Sequence, residues 1–139
     1  MFDSPGKLFV RKLDAVCIDA LQNSQGGDKV LSLVSKLNAK ISEVIDGTII
    51  KLDRKTDMQL INFLTGMKNA IPKKASVKQI ELNKKFDSEQ RGKSQKERYG
   101  YVFKNMCDFV QYDLMPPYYQ TLLALEKSSP LPSAAFQSA

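Results

Sequence analysis

SQKERYGYVFKNMCDFVQYDLMPP, residues 94–117, is the stretch whose reading decides the fold. It opens on a capping box, Ser94 with Glu97 three residues on, in which the two side chains satisfy backbone N–H groups at a helix start. Tyr99, Val102, Phe103, Met106, Phe109, Val110 and Leu114 then recur at helical spacing on one face. Pro116 and Pro117 end the run after Met115, because proline brings no backbone N–H and turns the residue before it away from helix. An amphipathic helix of this kind buries its apolar stripe only against other elements.

Working outward, the same period governs the rest of the chain. Ser4-Pro5 reads as an N-cap followed by proline at the first helical position. Phe9, Leu13, Val16, Cys17 and Ala20 carry that helix to about Gln22, and Val10, Ile18 and Leu21 widen its stripe enough to leave room for a homodimer. A turn over 23–27 and a cap at Asp28 lead to a second helix over 29–46, with Val30, Leu33, Val34, Leu37, Ile41, Val44 and Ile45 on one side. Gly47 is its expected stop. Residues 48–55 read either as a short extended piece or as the start of a third helix. From Thr56 onward Leu60, Phe63, Leu64, Met67 and Ile71 mark a helix that Pro72 is expected to end.

Ser76 with Gln79 forms another capping box and predicts a separate helix to about Asp87, thinly apolar through Val77, Ile80 and Phe86. Beyond the proline pair, a short helix over about 118–127 carries Leu122, Leu123 and Leu125. No strand pattern exceeds a few residues. The expected fold is all-α, a compact bundle of five or six helices. Residues 1–127 form the single domain, and the small, polar, proline-containing segment 128–139 is expected to be a flexible, disordered tail.

Composition narrows the chemistry. The 139 residues suffice for one core, and no apolar run approaches the length of a bilayer span. The absence of histidine removes Ser-His-Asp and Cys-His machinery and the usual zinc sites. The seven glycines form no phosphate-binding loop. No cofactor or metal is called for, and an enzyme would have to work through carboxylates or lysine. Asp53 and Asp57 lie one helical turn apart, a spacing that can hold a hard cation, but beside Arg54 and Lys55 they read as acids at a helix start. Cys17 and Cys107 sit inside apolar patterns and read as small hydrophobes in a reducing, cytoplasmic compartment.

Charge is regional. Residues 68–104 hold eleven Lys or Arg against four acids, whereas 1–67 are close to neutral and 105–139 slightly negative. Nine of the eleven are lysine, which suits a solvated face better than bidentate phosphate recognition. Two contact regions stand out: a basic loop of Arg91, Lys93, Lys96 and Arg98, and a tyrosine-rich apolar corner around Tyr112, Tyr118 and Tyr119. Together they point to a non-enzymatic helical interaction module, an adaptor or stoichiometric regulator whose protein partner is acidic at its contact surface. Nucleic acid or an anionic lipid surface bound through 68–104 is the alternative.

The last residues, from Leu125-Glu126-Lys127-Ser128-Ser129-Pro130 to Phe136-Gln137-Ser138-Ala139, resemble the C-terminal translocation signals of bacterial type IVB-secreted effectors. Such tails are flexible and rich in small and polar residues, with an apolar residue three or four from the end, where Phe136 stands. Only Glu126 supplies the glutamate those tails favour. The resemblance covers about fifteen residues, and implies a small helical protein that works in a host cytosol or regulates another effector.

Overall fold

The computed structural model describes residues 4–22, 30–89 and 91–136. Among them run α1 (Pro5–Gln22), α2 (Val30–Ile49), α3 (Met58–Glu89), α4 (Gln95–Asp108), α5 (Pro116–Ser128) and a single turn, α6 (Ser133–Phe136). No strand occurs among the described residues, and the all-α bundle is as the periodicity predicts. The expected turn at 23–27, the Asp28 cap and the Val30 side chain lie outside the described residues.

α2 lies between α1 and α3, α4 packs on α3, and α5 closes over α1. One continuous core joins Phe9, Leu13 and Cys17 of α1 to Leu37, Ile41 and Ile45 of α2 and Leu64, Met67 and Ile71 of α3. It continues through Val102 and Met106 of α4 and Leu122 of α5. α1 starts as expected: the Ser4 carbonyl accepts from Leu8 N–H and its hydroxyl from Lys7 N–H. The Gly6 N–H donates at 2.7 Å to Glu126 Oε2 on α5, so a carboxylate from the far end of the chain caps this helix.

Gly47 does not stop α2, which runs on to Ile49 because Ile45 and Thr48 extend its buried stripe across the glycine. The Thr48 hydroxyl is satisfied by the Val44 carbonyl at 3.0 Å. Ile50 N–H still bonds i→i−4 to the Asp46 carbonyl, and Lys51 and Leu52 then turn on i→i−3 bonds to Thr48 and Ile49, with Leu52 buried.

Pro72 does not stop α3, and the Ser76 capping box is not a helix start: both lie inside one helix of 32 residues. An interior proline costs about 3 kcal/mol through its missing N–H and its clash with the preceding turn. Against that, Leu60, Leu64, Met67, Ile71 and Ala75 and, two turns on, Leu82 and Phe86 are buried along the same helix. Leu82 and Phe86 contribute about 1.5–3 kcal/mol each when buried, Leu82 in the core and Phe86 against Tyr101 and Arg98 of α4, and both hold these places in the register of a helix that continues through Pro72. This register turns Val77 and Ile80 outward, 65% and 57% exposed, where the sequence pattern had placed them on the buried face.

α4 begins at Ser94, whose hydroxyl accepts from Glu97 N–H at 3.2 Å, as its capping box predicts. Its buried residues Val102, Met106, Val110 and Leu114 recur every fourth position. Each such step overshoots an α-helical turn by about 40°, so the stripe drifts around a regular helix. The chain takes up the drift in a π-helical stretch, Phe109–Leu114, closed by an i→i−5 bond from Met115 N–H to the Val110 carbonyl at 3.1 Å. The break before Pro116 is as expected, and α5 starts on that proline.

The segment expected to be a disordered tail is packed over residues 129–136. Leu131, Ala135 and Phe136 are buried, and the Phe136 ring stands edge-on to Phe9 at 5.0 Å between centroids, with 88° between planes. Its composition is that of a flexible tail, but a few apolar side chains find ready-made slots on α1 and α2. Residues 137–139 lie outside the described residues.

Candidate functional site

An open groove of about 590 Å³ lies between α3, the π-helical stretch Phe109–Leu114 and α5. Its floor is apolar: Val77 from α3, Phe109 and Leu114 from the π-helical stretch, and Pro117 and Tyr118 from α5. Lys73, Lys74 and Lys78 rim it, with Glu81 and Asp113 as the acids.

The lysines divide into two groups. Lys78 is neutralised by Glu81 at 3.2 Å and lies over the Phe109 ring at 5.5 Å. Lys74 donates to the Tyr118 hydroxyl at 2.9 Å, with its ammonium 5.0 Å from the ring centroid, and among the described residues neither it nor Lys73 forms an ion pair. One end of the groove therefore presents two uncompensated cations, one already oriented by a tyrosine, beside an apolar floor.

The residues singled out from sequence separate in space. Tyr118 lines the groove; Tyr112 is 71% exposed on the neighbouring π-helical stretch but does not line it. Tyr119 faces the other way: it is half-buried against the core, its hydroxyl buried beside Cys17 of α1 without a hydrogen bond of good geometry, and it does not line the groove. Burial first, then Cys17 and Asp14, pushes its phenol above the ordinary range.

The basic loop follows the far end of α3, where the helical rise from Glu81 on the groove wall to Glu89 is about 12 Å. Arg91 and Lys96 are exposed, and Lys93 pairs with Glu97 at 3.6 Å. Arg98 is a fold residue: it ion-pairs with Asp87, reaches the Asn83 carbonyl at 3.4 Å and lies on the Phe86 ring at 5.0 Å, tying α4 to α3. The sequence pattern missed Lys73, Lys74, Val77 and Phe109 as a group. The signal that finds them is Val77 falling off the Ile71–Ala75–Leu82–Phe86 stripe once α3 is taken as continuous.

The reactive-looking groups elsewhere are spoken for. Burial pushes the Cys17 thiol up to about 12, with Asp14 adding to it, and burial and Asp108 raise Cys107. Neither is activated as a nucleophile. Asp53 accepts from Lys55 and Thr56 N–H at 2.7 and 3.3 Å, and Asp57 accepts from Asp53 N–H at 2.8 Å, so this pair shapes the entry to α3. No cluster of three His, Cys, Asp or Glu among the described residues could hold a metal ion, and no described helix is long and apolar enough to cross a membrane. Comparison with protein-family models, with curated proteins and with solved structures finds no match.

Proposed function

We propose that this protein works by binding: it is a non-enzymatic helical interaction module, an adaptor or stoichiometric regulator, that docks a partner protein in the groove between α3 and α5. The observation that carries the reading is the pairing of an exposed apolar floor with two unpaired lysines. Val77, held 65% exposed beside Phe109 and Tyr118, has no role in the core of this chain. Open apolar surface rimmed by charge is what partner sites offer: area to bury, with charge to steer and orient. The buried Cys17 thiol, the half-buried Cys107 thiol beside Asp108, and the turn-forming Asp53 and Asp57 favour binding over catalysis.

A second reading rests on the other end of α3. Lys84, Lys85, Arg91 and Lys96 are exposed there and form no ion pair among the described residues, a patch that suits nucleic acid or an anionic lipid surface. Use of the C-terminal segment as a translocation signal would require Phe136 to leave its slot on Phe9.

The test compares captures from lysate by the wild-type protein, by Val77→Glu and by Lys84→Glu/Lys85→Glu. Val77→Glu is an exposed change that should leave unfolding within about 0.5 kcal/mol of wild type. A protein recovered near-stoichiometrically by wild type and lost with Val77→Glu supports the groove. Loss only with the lysine pair, together with nuclease or salt sensitivity, moves the function to the basic end.

A further inference from the structure

We propose that the occupant of this groove is an amphipathic helix of a partner protein, about two to three turns long, with its acidic residues gathered at one end. The inference rests on the groove being the docking site and adds the kind of segment it takes.

The walls select the conformation. Both are helices whose backbone groups are used internally, so no edge is offered for an added β-strand, and recognition has to run through side chains. From Lys73 to Glu81 the α3 wall extends about 12 Å, which matches anchors at i, i+4 and i+7 of a docked helix. The groove is within the size range of small-molecule sites, but such sites enclose most of their ligand. Here Lys73, Lys74, Val77, Glu81, Pro117 and Thr121 are all exposed, which makes an open trough.

Charge sets the pattern along the occupant. Glu81 already compensates Lys78 at 3.2 Å, so that end asks for no acid. Among the described residues Lys73 and Lys74 have no carboxylate partner, and Lys74 donates to the Tyr118 hydroxyl. Acids therefore belong opposite Lys73 and Lys74, and aliphatic side chains over Val77, Phe109 and Leu114. An evenly acidic helix would set acids against the neutral Lys78–Glu81 pair and against Asp113, where nothing attracts them.

The experiment uses two fluorescent, helix-stapled peptides of about four turns. They share leucines one turn apart and differ only in carrying glutamates or lysines at one end. Binding to the full chain is followed by anisotropy, and the site is located by amide chemical-shift changes. The glutamate peptide should bind about tenfold more tightly, shift Val77, Phe109 and Tyr118, and weaken about tenfold in Lys73→Glu/Lys74→Glu. Equal binding of the two peptides, shifts mapping elsewhere, or binding of dodecanoate in place of either peptide overturns the proposal. If neither peptide binds while Val77→Glu still loses a captured protein, the acidic-helix assignment fails and the groove reading stands. If Val77→Glu loses nothing and neither peptide binds, both fail.

Discussion

Phe136→Ala tests the packing of the C-terminal segment. The side chain is 3% exposed and meets Phe9 edge-to-face at 5.0 Å. Burying a phenylalanine contributes about 1.5–3 kcal/mol, and an aromatic pair in this geometry about 0.5–1.5 kcal/mol more. The full sum is not lost, because residues 129–136 can detach together and let the slot on α1 and α2 rehydrate. A loss of about 2–3 kcal/mol is expected. For a chain of this size each kcal/mol corresponds to about 3–4 °C, so the melting temperature should fall by about 7–10 °C. Urea and thermal unfolding followed by far-ultraviolet circular dichroism reads it. Adding Leu131→Ala should cost less than it does alone, since the segment leaves as a unit. A loss below about 0.5 kcal/mol, the level of an ordinary surface change, refutes the docked segment and restores the disorder its composition suggests.

Three further expectations follow from the same geometry. A Cβ on Gly6 would lie 2.8 Å from a Glu126 carboxylate oxygen, so Gly6→Ala and Glu126→Ala should each cost up to about 1 kcal/mol by breaking one cap. In the Glu126→Ala background Gly6→Ala should become neutral or stabilising, and additive losses in a double-mutant cycle would contradict the shared contact. Cys17 and Tyr119 are acids held neutral, so above the ordinary thiol value of 9.0 the unfolded chain releases protons that the folded chain keeps. Stability is then complete below about pH 9 and falls as pH rises toward 12, at no more than about 1.4 kcal/mol per unit for each group; Cys17→Ala should flatten the slope in urea titrations, and an unchanged slope would remove Cys17 from the account. Arg98→Ala should lose about 1–2 kcal/mol, only partly restored by Arg98→Lys because lysine lacks the planar face that lies on Phe86, whereas Lys96→Ala should stay within about 0.5 kcal/mol; equal midpoints for the Arg98→Ala and Lys96→Ala proteins would contradict the α3–α4 tie.

The elements readable from sequence were those whose local signals agree. α1 begins where Ser4 and Pro5 place it, and α4 where Ser94 and Glu97 place it, because cap and apolar period coincide there. α3 is not legible locally because two signals, Pro72 and the Ser76 capping box, compete with burial of Leu82 and Phe86 further along the helix. With the helix divided, Val77 and Ile80 supplied the apolar face of the second part, and the groove vanished from view. Tyr118 and Tyr119 are adjacent in sequence, and only the phase of α5 after the proline pair decides which meets Lys74 and which meets Cys17. Arg98 reads as one of a basic cluster until Asp87 and Phe86 arrive from α3. Such pairings depend on how helices cross, and no periodicity along one chain carries them.

Gly6 and Glu126, 120 residues apart, and Phe9 and Phe136 join the first helix to the last segments. Closing so long a loop is entropically expensive and comes after the local pairings of α2, α3 and α4. While the chain is being synthesised, the Phe9 side of α1 stays uncovered until residue 136 has been made. The contact should therefore be absent from the folding transition state, so that Phe136→Ala speeds unfolding and leaves the folding rate nearly unchanged. The C-terminal segment acts on the lifetime of the native state rather than on the speed at which it forms.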